Sequence, residues 1–179
     1  SSYDKPKNSV LSEKTDRHKL YYHKLKTSQK YDKVIFGENE KFRYLSGYIT
    51  KDQNYLIISA SKTTSGNNLY IKDMNKENSL FVQITHDFES NSYIYHNIGS
   101  KLYISTNLYA PNKKIVTVDA NAPQVVNWVD FIPEAENVLN ISKGGGYFFA
   151  NYFIDANSKI IQYNYDGEIV REVEFKGKG

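Results

Sequence analysis

The chain has 179 residues, enough for one domain with a real core, and 23 Lys and Arg against 20 Asp and Glu leave a net charge of only +3. So mild a balance, spread along the chain, gives no reason to expect nucleic acid as a partner, and no apolar run approaches the roughly 18 residues of a membrane-spanning helix. The absence of cysteine excludes disulfides, Cys-based zinc sites and thiol nucleophiles, while 16 Tyr, 9 Phe and one Trp favour pleated β structure.

Residues 1–17 are polar and read as an irregular lead-in. The opening Ser1-Ser2-Tyr3, without Met, reads as the start of an excised piece. From Lys19 the chain turns β-favourable, with strands expected at Leu20–Leu25 and Val34–Phe36. Lys24, Lys26, Lys30 and Lys33 around them read as a solvated face rather than a phosphate site. From Phe42 four short strands follow, at Tyr44–Ile49, Tyr55–Ala60, Leu69–Met74 and Ser79–Thr85, joined by residues suited to turns.

The set of four then recurs. The second strands start at Tyr55, Lys101 and Tyr147, each 46 residues after the last, and the third strands are marked by Leu69, Ile115 and Ile160. First strands fit at Ser92–Ile98 and Val138–Ser142, fourth strands at Val125–Phe131 and Ile169–Phe175. A four-stranded antiparallel unit repeating every forty-odd residues is the signature of propeller blades, whereas a barrel or sandwich gives no reason for so regular a period. The expected fold is all-β: a partial β-propeller of about three and a half blades. Residues 18–36 form a half blade whose inner two strands are missing, and 42–87, 88–133 and 134–176 form three whole ones. A closed propeller needs roughly four to eight blades, so the chain reads as a fragment whose open edges favour self-association.

A search for chemistry returns little. The four histidines, His18, His23, His86 and His96, form no metal-ligand pattern and read as surface or aromatic-contact residues. Asp73, Asp87, Asp119 and Asp155 are conceivable acid–base carboxylates, but they sit where Asp commonly makes turn hydrogen bonds. Gly144-Gly145-Gly146 lacks the Lys-Ser/Thr of a phosphate loop and falls where the other units place a hairpin turn. The sequon Asn140-Ile141-Ser142 lies on an expected inner strand, a poor glycan acceptor. No nucleophile elbow of the Gly-x-Ser-x-Gly kind occurs. No catalytic, cofactor-binding or metal-binding residue is therefore assigned, and no cofactor is expected.

Three segments nevertheless resemble the prolyl oligopeptidases, serine peptidases of the α/β-hydrolase type. His18 to Leu25 (HKLYYHKL), with Thr27, Gln29 and Asp32, is similar to the family's LYYHxLGTxQxxD segment, with Lys26 in place of Gly. Thr106-Asn107-Leu108-Tyr109-Ala110-Pro111-Asn112 is similar to its TNxxAPN loop, and Phe131-Ile132-Pro133-Glu134 with Val138-Leu139 to its xIPExxxVL segment. The likeness runs from about Tyr3 to Phe175 and covers the middle of the family's propeller. It implies a seven-bladed propeller paired with a hydrolase domain that carries the catalytic triad and cuts short peptides after proline. First strands would line a narrow channel that admits oligopeptides and excludes folded proteins. The implied partners are the enzyme's own hydrolase domain and short proline-containing peptides. Some members reach substrate with Arg and Cys from a segment like Ser59–Gly66; here it reads Ser59-Ala60-Ser61-Lys62-Thr63-Thr64, so no contact carries over and any role for Lys62 stays open. A non-enzymatic scaffold for protein interaction and a carbohydrate-active propeller are the alternatives. A soluble protein of cytoplasm or periplasm is expected, with any signal peptide lying upstream.

Overall fold

The computed structural model describes residues 2–3 and 15–174. Strands carry almost all the regular structure, with two single-turn 3₁₀ segments at Gln29–Tyr31 and Val125–Asn127. A small sheet joins β1 (Ser2–Tyr3), β2 (His18–Tyr22) and β3 (Lys33–Phe36). Three four-stranded sheets follow, each antiparallel and in chain order. The first holds β4 (Tyr44–Ile49), β5 (Tyr55–Ser61), β6 (Asn68–Asp73) and β7 (Val82–Gln83). The second holds β8 (Ser92–Ile98), β9 (Lys101–Thr106), β10 (Lys114–Asp119) and β11 (Val129–Ile132). The third holds β12 (Asn140–Gly144), β13 (Tyr147–Ile154), β14 (Asn157–Tyr163) and β15 (Ile169–Val173). This is the partial propeller that the repeat implies.

Period-two alternation explains how the sheets stack. Successive side chains of a strand point to opposite faces, so a sheet lying between two others must be apolar on both. On β9, Leu102 and Ile104 face the first sheet while Tyr103 faces the third, and all three are fully buried. On β5, Ile57 faces forward to the second sheet, while Ile58 and Ala60 face back towards the small sheet. On β10, Val116 and Val118 join one core and Ile115 the other. β13 behaves differently. Phe148, Ala150 and Tyr152 are buried towards the second sheet, but Phe153 on the opposite face is 65% exposed.

Turn chemistry sets the register. Gly145 (φ 58) and Gly146 (φ 85) form the two-residue link between Gly144 and Tyr147, a left-handed pair that matches strand twist. The link between Ile154 and Asn157 uses the same left-handed pair but fills it with Asp155 and Ala156.

Several expectations need correction: the strand expected at Leu20–Leu25 runs His18–Tyr22, and the one expected at Val138–Ser142 runs Asn140–Gly144. Ser2–Tyr3, taken as irregular, pairs with His18 and Lys19, so the small sheet has a third strand. Two residues show no periodicity; backbone donors and acceptors on the edge of β2 recruit them. Residues 4–14 of that lead-in, like Phe175 at the end of the last strand, lie outside the described residues. The outer strand expected at Ser79–Thr85 shrinks to Val82–Gln83, because Leu80 is solvent-exposed and Thr85 turns its hydroxyl to the Leu69 N–H instead. The outer strand expected from Val125 begins only at Val129. The 3₁₀ turn occupies Val125–Asn127, and the Trp128 indole N–H bonds the Pro123 carbonyl at 3.0 Å.

Candidate functional site

A propeller blade places its first strand innermost, around a central channel, so the wall of interest is β4, β8 and β12. Their antiparallel links define two ends. At one end lie the β5–β6 and β9–β10 loops, and at the other the hairpins β4–β5, β8–β9 and β12–β13.

The loop end carries a polar cleft of about 360 Å³ between the first and second sheets, with Ser59, Asn67, Asn91, Thr106 and Lys113 among its walls. Its floor is tightly bonded. Ser92 Oγ and Thr106 Oγ1 are 2.7 Å apart, and the Asn67 amide donates to the Ser92 carbonyl at 2.9 Å while accepting its N–H at 2.8 Å. Gly66 (φ 74) closes this loop: a Cβ there would stand 1.9 Å from the Phe88 carbonyl oxygen, so no other residue fits. The Lys62 ammonium, whose role the sequence left open, lies 4.3 Å from the centre of the Phe88 ring, a cation–π contact with the connection to the next sheet.

Two of the three motif segments meet at the equivalent place one seam later. The Asn112 N–H donates to Glu134 Oε1 at 2.6 Å, its side-chain amide to the carbonyls of Ala135 and Glu136 at 3.0 and 2.9 Å, and the Leu139 N–H to the Asn112 carbonyl at 2.8 Å. The loop Thr106–Asn112 and the segment Phe131–Leu139, read separately in the sequence, are thus the two halves of one clasp. Asn67 and Asn112 do the same work at successive seams, each fastening a loop of one sheet to the start of the next. The sequence signal for this was present, as an Asn some eight residues beyond each second strand's core, but only contact geometry gives it meaning.

At the hairpin end a smaller cleft of about 160 Å³ lies among Tyr48, Tyr93, Tyr95, His96, Lys51 and Lys143. Tyr48 and Tyr93 stack at 5.3 Å, and Tyr93 meets Tyr95 edge-on at 6.4 Å. The Tyr48 hydroxyl donates to the Ile94 carbonyl at 3.0 Å; burial, more than the neighbouring Tyr93, pushes its pKa far above the ordinary phenol value. His96 packs against Tyr103, Phe148 and Tyr165. Burial first, then the charges of Lys143 and Lys51, lower its pKa.

Three of the four carboxylates singled out in the sequence serve turns and seams. Asp73 accepts the Asn75 N–H and pairs with Lys76 at 3.2 Å, Asp87 accepts from Glu89 and Ser90, and Asp119 from Asn121 and Ser100. Asp155 sits in the left-handed hairpin link. His23 bonds Asp32 at 2.7 Å within the first motif segment. Among the described residues no group of three or more His, Cys, Asp or Glu is placed to hold a metal ion. Asp73 and Asp119 both lie close enough to Tyr55 and Lys76 to act on them, but each is occupied by its own turn.

Comparison with known proteins follows the same lines. The sequence family described as the prolyl oligopeptidase N-terminal beta-propeller domain matches residues 1–179. The chain belongs to this family. A prolyl endopeptidase of Elizabethkingia miricola is 47% identical over 182 residues, covering 100% of this chain and 26% of the relative; one of Elizabethkingia meningoseptica is 46% identical with the same coverage. Among solved structures, a prolyl endopeptidase from a study of two such enzymes superposes with a TM-score of 0.77 at 23% identity, over 92% of this chain and 24% of the other. Prolyl oligopeptidase B of Galerina marginata, bound to a 35-residue substrate, gives 0.76 at 25% identity over 89% and 24%. The chain therefore spans about a quarter of the relatives it matches. Within this stretch of prolyl oligopeptidase propeller the two ends differ: one offers polar loops, the other basic and aromatic side chains.

Proposed function

We propose that this stretch of propeller acts as a gate in a serine-type prolyl endopeptidase, admitting short peptides to a hydrolase domain and turning folded proteins away. The observation that carries the reading is the inner wall. On the first strands of adjacent sheets Tyr44 and Ile49, and Tyr93 and Ile98, stand 44–54% exposed, apolar and ring faces turned to open space as a narrow peptide passage requires. Residues 42–87, 88–133 and 134–176 are its blades, and 18–36 belongs to the blade before. The polar loop end, with the segment Ser59–Gly66, is the side turned to the hydrolase domain, while the triad, cleavage after proline and the acylation chemistry belong to that other domain. Blade flexing or domain opening would regulate admission.

The test is a size ladder. A protein carrying these blades together with a hydrolase domain should cleave short proline-containing peptides and spare the same sequence inside a folded protein; equal cleavage of both after the blades are removed supports the gate, and selectivity that survives their removal refutes it. The 179-residue chain alone should not turn over a chromogenic proline peptide. It should self-associate through the exposed face of β13, where Phe153 lies bare, and the outer strand β15, with Ile169 and Val170. A single monomeric boundary in sedimentation at high concentration contradicts that part.

A further inference from the structure

The hairpin end of the inner wall holds two ammonium groups that, among the described residues, are paired with no carboxylate. Lys143, on β12, reaches across the seam and donates to the Tyr95 carbonyl at 2.8 Å, its nitrogen 5.0 Å from the centre of the Tyr95 ring. Lys51, in the β4–β5 turn, shares the cleft, and burial together with the Lys51 charge lowers the pKa of Lys143. Among the described residues neither lysine lies within 4 Å of a carboxylate. Asp52, next in sequence to Lys51, is already engaged: its oxygens accept from Thr50 Oγ1, the Asn54 N–H and amide, and the Asn97 amide, the last at 2.6 Å. Two like charges on exposed side chains line one cleft of about 160 Å³, and the hydrogen bond shown for the Lys143 ammonium goes to a neutral carbonyl. An anion entering the cleft gains from both charges.

We propose that Lys51 and Lys143 form a binding site for the carboxylate of a short peptide at the mouth of the channel. An entering carboxylate would bridge the two ammonium groups with charge-assisted hydrogen bonds and relieve their mutual repulsion. The stacked rings of Tyr48 and Tyr93 give the rest of the peptide an apolar wall. That wall is what selects a carboxylate on an organic chain over a bare inorganic anion, since aromatic faces add nothing for phosphate. The cleft volume equals that of roughly five water molecules, room for a carboxylate and one small residue. The choice of a peptide as the carrier rests on the gate reading above; the site itself is argued from the lysines and their surroundings.

The experiment is calorimetric titration of this chain with an acetylated tetrapeptide of uncharged side chains, once as the free acid and once as the C-terminal amide, at low salt. The free acid should bind about tenfold more tightly than the amide, the scale expected when a hydrogen bond to a charged group is lost. Lys51→Gln and Lys143→Gln should each reduce the acid to the affinity of the amide. Lys51 sits in an exposed turn, so its variant gives the answer even where Lys143→Gln fails to fold. Equal binding of acid and amide, no binding of either, unchanged affinity in folded Lys51→Gln, or displacement of the peptide by an equal concentration of inorganic phosphate would each overturn the proposal. No turnover is read, so a failed gate in a hydrolase-bearing protein leaves this result standing, and a failed titration leaves the gate untouched.

Discussion

The two complete seams of this propeller segment are built from different side chains. Between the first and second sheets the core is almost wholly aliphatic, with Ile57, Leu69, Ile71, Ile84, Ile94, Leu102, Ile104, Val116 and Val118. Between the second and third it is a cluster of rings, in which Phe148 touches Tyr95, His96, Tyr103, Phe131 and Tyr165. Branched aliphatics fill the middle of that seam, with Tyr55 among them and Tyr48 and Trp128 packed against it. Rings fill the same space in larger pieces and bring polar tips that must find partners. The Tyr103 hydroxyl donates to the Tyr165 carbonyl at 2.7 Å, and burial, with Asp166 and Tyr165 behind it, pushes its pKa up to about 12. Lys101 caps the cluster from outside, 5.2 Å from the Tyr103 ring and 5.9 Å from Phe131. The aromatic seam thus couples packing to charge through more of its core, and the cleft that holds Lys51 and Lys143 lies at its hairpin end.

The strongest way to break the contrast is to empty each seam at its centre. Phe148→Ala removes a fully buried ring from five ring neighbours and should cost about 4 kcal/mol, within the range for Phe→Ala in a core. Leu102→Ala in the aliphatic seam should cost about 3 kcal/mol. Chemical denaturation with a shared m-value checks both; a ring deletion cheaper than the leucine deletion would mean that the aromatic seam repacks more freely than its density suggests. Next in size is the clasp. Asn112→Ala leaves the Ala135 and Glu136 carbonyls without their donor and should cost about 1–2 kcal/mol, as expected for hydrogen bonds lost at a partly exposed site. Asn67→Ala, where the amide is nearly buried, should cost more. Equal losses would show that burial does not distinguish the two seams at their loop end.

A smaller effect has the opposite sign. Ala156 holds φ 62 in the β13–β14 link, a left-handed backbone that costs an L-residue about 1 kcal/mol or more. Ala156→Gly should therefore stabilise the third sheet by about 1 kcal/mol, while Gly146→Ala, at φ 85 in the hairpin at the other end of β13, should destabilise it. A drop in melting temperature for Ala156→Gly would count against the turn assignment.

The repeat made the sheets legible because a period near 46 is carried by the second strands, the most buried ones, where composition has least freedom. Tyr55, Lys101 and Tyr147 each open such a strand in the structure. Outer strands are less legible, since an edge strand is partly exposed and its residues obey turn chemistry as much as pairing; Leu80 and Val125 suit a strand by type but lie outside β7 and β11. The motif loop Thr106–Asn112 pointed to a family through its spelling, yet its physical work, the clasp to Glu134, Ala135 and Glu136, joins residues more than twenty apart and has no local signal. The two lysines of the channel mouth are more distant still. Lys51 lies in a turn and Lys143 on an inner strand two sheets away, and only the closure of successive hairpins around one axis puts both in one cleft.

The subtlest difference between the seams is their response to acid. His96 faces Tyr103 on β9, Phe148 on β13 and Tyr165 after β14, with Lys143 and Lys51 repelling a proton and Asp52 drawing it. Burial leads these causes and the folded pKa falls below the ordinary 6.5. Above 6.5 the imidazole is neutral in both folded and unfolded chains, and the seam keeps its full stability. Below it the unfolded chain accepts a proton that the folded one declines, so stability is lost as the pH falls from 6.5 through the lower folded value. His96→Phe keeps a ring in place and removes the titration. Its melting temperature relative to the parent chain should therefore rise steadily between pH 7 and pH 5, by an amount that stays modest because the ring is only half-buried. His18, also lowered by burial, titrates in both proteins and cancels in the difference. A gap that stays constant across that window would place His96 in water rather than in the seam, and would sink the claim that the ring-built seam, more than the aliphatic one, senses charge.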